Sequence, residues 1–332
     1  MEIAKKTFIV TGGGGFLGKA LCLRLKDQGA QVISISRSSY PELVSAGIKV
    51  IQHDISDPFE PIYKELSGVD GVFHTASKVD MWGRYEEFYK TNVVGTANVV
   101  NACLNLGIRN LVYTSSPSVI ADGTDTKGID ESYPYPEKYI AFYPQTKAMA
   151  EQLVKSANNE SFYTVTLRPH LIWGPGDRHL IPTVLKRARA GRLIQVGDGQ
   201  NLVDTSFIDD CVDAHILAMM ALTENPAVRG RAYFISQGEP VKLWQWINTI
   251  LTLHNLPLVK KKISKRFASI LAGTLEFCSK LLPSKPEPLF TRFLASQMSS
   301  DHYFNIDNAK KDLGYAPKFS IDEALRVTFS NS

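Results

Sequence analysis

Six short apolar runs rich in β-branched residues recur through the first half of the chain, at residues 7–11, 31–36, 49–53, 71–75, 110–114 and 163–168. Each has the length and composition of a strand buried on both faces. Between them lie stretches with apolar positions at three- and four-residue spacing, including 16–28, 94–105 and 145–157, which predict amphipathic helices. Strand–helix alternation predicts an α/β fold, a doubly wound parallel sheet with helices on both faces. After Arg168 the rhythm breaks at "PHLIWGPGD", which carries two prolines and two glycines. Residues 1–170 are therefore expected to form the sheet domain. Residues 171–332 are expected to form mainly a smaller lobe across the strand ends, with 203–222 returning to the first domain.

The first strand runs into "TGGGGFLG", with Gly12, Gly15 and Gly18 three residues apart just before a helix. This order predicts a Rossmann dinucleotide site. The first glycine permits the tight turn, the second lets a pyrophosphate approach the backbone, and the third lets helix and sheet pack closely. The helix N-terminus then presents free N–H groups to the phosphates. The second strand ends in Ser36, Arg37 and Ser38, where an NAD-binding fold usually carries an acid. An arginine binds a 2′-phosphate that a carboxylate would repel, so NADP(H) is the expected cofactor and NAD(H) the alternative. Arg37 as a solvated loop residue is the plainer reading. Asp54, in "HDIS", is either an acceptor for the adenine amino group or a turn residue.

Tyr143 and Lys147 are four apart and share one helix face. An ammonium near a tyrosine favours the phenolate and suits proton transfer to a carbonyl oxygen. Ser116, in "YTSSPSV", is placed to hydrogen-bond the same oxygen. The plain alternative is a surface tyrosine and lysine. Pro144 requires the helix to begin at or just before Tyr143, because proline is tolerated only in the first turn.

Taken with "VFHTAS", "TNVVGTANVV", "YPQTKAMAE" and "LRPHLIWGPGD", these motifs resemble the extended short-chain dehydrogenase/reductases over nearly the whole chain, and within them the 3β-hydroxysteroid dehydrogenase branch. The resemblance implies that Ser116, Tyr143 and Lys147 form the catalytic set. It places Phe16 and Leu17 beside the pyrophosphate, Asp54 and Ile55 among the cofactor contacts, and Ala76 and Ser77 along the cofactor ribose. Asn92 would brace the site, with Arg168, Pro169 and His170 near the nicotinamide edge. It also implies a homodimer through the helices at 94–105 and 145–157.

The regions expected to choose a substrate are apolar: Met81, Trp82, Tyr85, Ile172, Trp173 and the stretch 267–282. Some of these aromatics read equally as plain core. They predict reduction of a 3-oxo group on a hydrophobic small molecule, and the resemblance implies an open-chain 2-alkyl-3-oxo acid ahead of a 3β-hydroxysteroid or sterol-4-carboxylate. A nucleotide-sugar epimerase or dehydratase, using Arg187, Arg189 and Arg192, is a rival, as is a non-catalytic NADP sensor. The basic run 259–266 precedes apolar residues at helical spacing, which reads as a packed helix, a lid, or a helix lying peripherally on a membrane.

The bulk properties narrow the field further. The 332 residues are 44% hydrophobic and 21% charged, with a net charge of +4. That charge is too mild for a nucleic-acid binder. No stretch has the length of a transmembrane helix. The four cysteines lack ligand spacing, so no metal site is expected, and buried free thiols fit a cytoplasmic location. The chain enters its first strand pattern without a signal-peptide pattern.

Overall fold

The computed structural model describes residues 2–282 and 286–330. Seven parallel strands form the main sheet: β1 (Thr7–Thr11), β2 (Gln31–Ser36), β3 (Lys49–Gln52), β4 (Gly71–His74), β5 (Asn110–Thr114), β6 (Tyr163–Pro169) and β7 (Ala232–Ile235). Their order is β3-β2-β1-β4-β5-β6-β7. The order reverses beside β1, so the ends of β1 and β4 open a crevice where such sheets bind ligands. The six sequence-predicted strands are present within one residue at each end. The seventh, the four-residue run Ala232–Ile235, comes from beyond the break in rhythm and joins the sheet beside β6.

Side chains alternate across the strands. Phe8 and Val10 of β1 enter the larger core, while Ile9 enters a second core on the opposite face. Helix α1 (Phe16–Asp27) and helix α4 (Ile208–Glu224) cover the first face; α2 (Gly95–Leu106) and α3 (Phe142–Ala157) cover the second. Arg24 of α1 reaches Asp209 at 2.8 Å and also pairs with Asp213, which ties α4 to the sheet layer. Helix α3 begins at Phe142, so Pro144 falls in its first turn as its missing N–H requires.

A smaller four-stranded sheet joins Val241–Lys242, Leu202–Val203, His302–Phe304 and Thr126–Ile129. Helix α5 (Lys265–Leu281) packs against the helix Arg292–Gln297. Among the described residues, no helix is long and apolar enough to cross a membrane. Cys22, Cys103 and Cys211 are buried as expected, but Cys278 on α5 is exposed, which corrects the expectation of four buried thiols.

Candidate active site

The glycine run is a contact surface. Gly12 has φ +72°, and a Cβ there would lie 2.7 Å from Ala76 Cα. The ends of β1 and β4 thus touch through backbone, and only glycine fits. A Cβ on Gly18 would collide with the Gly12 carbonyl, so α1 rests directly on the turn. Gly14 lies under the ring of Tyr40, where no Cβ has room. Gly15 is different: a Cβ would meet only Gly12 O, at 3.2 Å. It is the N-cap of α1 and offers no side chain, and the first turn of the helix carries no acid. The N–H groups of that turn, at Phe16, Leu17 and Gly18, are available to an anion, so the residues present fit a dinucleotide pyrophosphate. A cavity of about 220 Å³ beside the loop is lined by Gly14, Gly15, Phe16, Lys19 and Arg178 among others.

At the adenosine end, Ser36 is buried and its hydroxyl donates to Ser38 O at 3.3 Å, while Arg37 and Ser38 are exposed. Asp54 Oδ1 accepts from the Ser56 N–H at 2.9 Å and its hydroxyl at 2.7 Å, so that oxygen serves a turn. Burial alone would raise the Asp54 carboxyl; the two Ser56 donors, with Arg37 and Lys90 nearby, hold it below its usual range. The Ile55 side chain is buried, against Gly95 of α2, and belongs to the core.

A chain of hydrogen bonds links the glycine turn to α3. The Ala76 N–H donates to Thr11 Oγ1 (3.4 Å), which lies 2.7 Å from His74 Nδ1. His74 Nε2 lies 2.9 Å from Thr96 Oγ1, whose hydroxyl donates to Asn92 O at 2.6 Å. Burial holds the His74 pKa down to about 3, so the ring is neutral. With Thr96 spending its proton on Asn92, His74 donates from Nε2 and accepts at Nδ1. Asn92 lies in a π-helical turn, Tyr89–Val94. Its side chain accepts from Lys78 N (2.7 Å) and donates to Lys78 O and Thr146 Oγ1, each at 3.1 Å. The loop after β4, which includes Ser77, is thereby fastened to the helix that carries Tyr143 and Lys147.

Ser116 caps a short 3₁₀ turn, Pro117–Ile120, and its Oγ accepts from the Ser118 N–H at 3.2 Å. The half-buried Tyr143 faces this turn. Burial raises its phenol, and the hydroxyls of Ser116 and Ser118 pull it partly back down. Ser118 was not singled out in the sequence, although it stands two residues beyond Ser116 in the same "SSPS". Lys147 Nζ donates to Thr114 O at 2.7 Å and lies 4.4 Å from the centre of the Tyr113 ring. Burial lowers the ammonium to about 7, with Glu151 opposing. The groups that lower the Tyr143 phenol here are the two serine hydroxyls, and burial outweighs them. Thr114 is itself anchored: its Oγ1 lies 2.8 Å from His215 Nε2, and His215 Nδ1 donates to Cys211 O at 2.7 Å.

Arg168 is a buried structural cation, 1% exposed, with Nε at 3.1 and 3.2 Å from the Glu151 carboxylate of α3. Tyr135 OH donates to the same carboxylate at 2.7 Å. Pro169 ends β6. His170 is buried, with Nε2 2.6 Å from His302 Nδ1; His302 Nε2 lies 2.7 Å from Gln297 O. A carbonyl only accepts, so His302 donates from Nε2 and His170 donates to its Nδ1. Burial, and His302 beside it, keep His170 neutral.

Trp173 is not a pocket wall. It is fully buried, with ring centres 5.3 Å from Trp246 and 5.7 Å from Phe207. Ile172 pairs with Ser206 in a two-stranded ribbon. Tyr85 packs on Phe142 (5.4 Å), next to Tyr143 in the chain, while Met81 is 41% exposed. Arg187 and Arg189 lie at the end of the helix Leu180–Arg189, with Arg192 just beyond. On α5 the helical apolar set, Phe267, Ile270, Leu271, Leu281 and Leu282, faces solvent, which excludes the packed-helix reading for that face. Among the described residues, no group of His, Cys, Asp and Glu is arranged to hold a metal.

A glycine cradle at the first β–α crossover and a Ser–Tyr–Lys cluster at the end of β5 define an NAD(P)-dependent oxidoreductase of the extended short-chain class. The chain belongs to the 3-beta hydroxysteroid dehydrogenase/isomerase family, whose pattern spans residues 9–264. It is 47% identical to a 2-alkyl-3-oxoalkanoate reductase of Stenotrophomonas maltophilia, across 96% of this chain and 97% of that protein. It is 44% identical to a 2-alkyl-3-oxoalkanoate reductase of Shewanella oneidensis, across 96% of this chain and 84% of that one. Among solved structures, an epimerase from Methanothermobacter thermautotrophicus superposes with a TM-score of 0.79 at 22% identity, covering 99% of this chain and 92% of that one, a likeness of fold.

Proposed function

We propose that this protein reduces the 3-oxo group of a 2-alkyl-3-oxoalkanoate to the 3-hydroxy acid, with NADPH. The observation that carries the reading is the near-full-length similarity to two such reductases, joined to an intact Ser116, Tyr143 and Lys147. When bound along the glycine cradle, a reduced nicotinamide supplies the hydride. Tyr143 gives its phenolic proton to the ketone oxygen. The raised phenol keeps that proton at neutral pH, which suits the reductive direction. Ser116 donates a hydrogen bond to the same oxygen. Lys147, already aimed by Thr114 O, holds the cofactor ribose.

Arg37, exposed at the end of β2 and unopposed by an acid at position 36, supports NADPH over NADH. The reading carries a homodimer through α2 and α3 and a reducing, cytoplasmic setting that suits the three buried thiols. The intact proton-transfer set argues against a cofactor sensor without turnover.

The test is nicotinamide oxidation with 2-alkyl-3-oxo acids of lengthening branch, beside a 3-oxosteroid and a nucleotide sugar. Catalytic efficiency should rise with chain length, since each buried methylene contributes about 0.8 kcal/mol, until the pocket fills. NADPH should outperform NADH, and replacing Ser36 by Asp with Arg37 by Leu should shift preference toward NADH. Turnover of nucleotide sugars alone, or a flat response to chain length, overturns the substrate assignment. Better use of NADH by the unaltered protein overturns the cofactor assignment.

A further inference from the structure

The segment 174–179 follows the buried Trp173 and comes back to the glycine turn, held at both of its ends. Asp177 N donates to Gly174 O at 3.1 Å. A Cβ on Gly174, at φ +143°, would collide with Ile208 Cγ2 at 2.6 Å, so the segment starts hard against α4. At its other end the Asp177 carboxylate caps the helix Leu180–Arg189. Its Oδ1 accepts from the N–H groups of His179 (2.8 Å) and Leu180 (3.1 Å), and Oδ2 from Ile181 (2.8 Å). Between these anchors Gly176, at φ +85°, rests over Phe16: a Cβ there would lie 3.9 Å from Phe16 Cε2. The backbone at Arg178 is thereby fixed beside the first turn of α1.

The cavity of about 220 Å³ between this loop and α1 is lined by Gly14, Gly15, Phe16, Lys19, Gly176 and Arg178 among others, and no carboxylate is among its lining residues. Of its two cations, Lys19 is already paired with Glu42. Arg178 is exposed and has no partner among the described residues, because the adjacent Asp177 spends both oxygens on backbone N–H groups. Uncapped helical N–H groups and an unpaired guanidinium thus border one space, which suits an anion with several oxygens. Ser36 and Arg37, the residues read toward a 2′-phosphate, do not line it. We propose that Arg178 is a cofactor-binding residue contributed by the lobe, whose guanidinium closes on the diphosphate of the dinucleotide held at the α1 N-terminus. A guanidinium matches phosphate oxygens two at a time. The bound cofactor then ties the loop 174–179, and through Asp177 the helix Leu180–Arg189, to the sheet domain. The inference rests on dinucleotide binding alone; it needs neither the NADPH preference nor the alkyl substrate proposed above.

The test is calorimetric binding of NADPH, NADH and adenosine 2′-monophosphate to the unaltered protein, to Arg178→Met and to Arg178→Lys. NADPH and NADH share the diphosphate; the monophosphate lacks it. Arg178→Met should weaken both dinucleotides by the same factor, about tenfold, and leave the monophosphate unaffected. Arg178→Lys should recover part of the loss, since it keeps the charge without the fork. The melting temperature without cofactor should not change, because the side chain is exposed. In hydrogen exchange, NADPH should protect the N–H groups of 176–181 in the unaltered protein and protect them less in Arg178→Met at equal saturation. Unchanged affinity for both dinucleotides overturns the proposal. A loss confined to NADPH and the monophosphate assigns Arg178 to the 2′-phosphate and overturns it as well. So does an equal loss for all three probes, which would report a general field rather than a diphosphate contact. None of these readouts requires turnover, so this contact and the substrate assignment fail separately.

Discussion

The sheet side and the lobe side of the molecule hold their residues by different means. On the sheet side, the reacting groups are fixed by buried polar contacts that are themselves fixed. Lys147 is held by Thr114, Thr114 by His215, and Asn92 by Lys78 and Thr146. On the lobe side, the large apolar residues are held by packing alone or face water. Trp173 sits between Trp246 and Phe207, whereas Met81 and the α5 stripe are exposed. Hydrogen bonds are directional, so the sheet side specifies positions within tenths of an ångström and tolerates little change in chemistry. Packing is non-directional, so the lobe side tolerates exchange of one apolar group for another.

That contrast has measurable edges. The largest effect belongs to Tyr143→Phe, which removes one hydroxyl and leaves the packing. Turnover should fall by about two to four orders of magnitude with NADPH binding retained, read by single-turnover kinetics and cofactor fluorescence. Full activity in this variant would remove the phenol from the chemistry. On the lobe side, Trp173→Ala should destabilise the fold by about 3–5 kcal/mol in denaturant titration, because it empties a buried site. Met81→Ala should change stability by no more than about 0.5 kcal/mol. Equal losses from the two would erase the distinction between a packed and an open apolar residue.

A further edge is a pH dependence centred on Lys147. Its ammonium is near 7 when folded and about 10.4 in an unfolded chain. Between those values the unfolded state binds the extra proton, so stability rises with pH through that window. Below pH 7 the burial cost is present in full. Compared with Lys147→Met, the unaltered protein should therefore gain melting temperature as pH rises from 7 toward 10. A difference between the two that stays constant across this range would show that the lysine keeps its ordinary pKa.

What the sequence revealed follows the same division. Gly12 and Gly18, Pro144 and the Tyr143–Lys147 spacing carry geometric requirements that hold wherever they occur, and each was legible. The ion pair of Arg168 with Glu151 was not legible, because an arginine at a strand end names no partner. Its partner Glu151 lies four residues beyond Lys147 in "YPQTKAMAE", a spacing that puts both on one face of α3. The strand Ala232–Ile235 was missed because four apolar residues among loops give no periodicity to read. The α5 stripe had the right spacing for a helix face, but spacing does not say whether that face meets protein or solvent.

Tyr40 lying over Gly14 imposes a rule on how this part of the sequence can vary. A side chain at position 14 requires the ring to leave, and the ring as it stands forbids one. Two positions 26 residues apart, on either side of β2, therefore behave as one heritable unit. The third glycine of the four lies beneath an aromatic neighbour, whereas a Cβ on Gly15 would meet only Gly12 O. In a collection of related chains, a larger residue at the first position should be accompanied by a smaller one at the second, whatever cofactor each chain prefers.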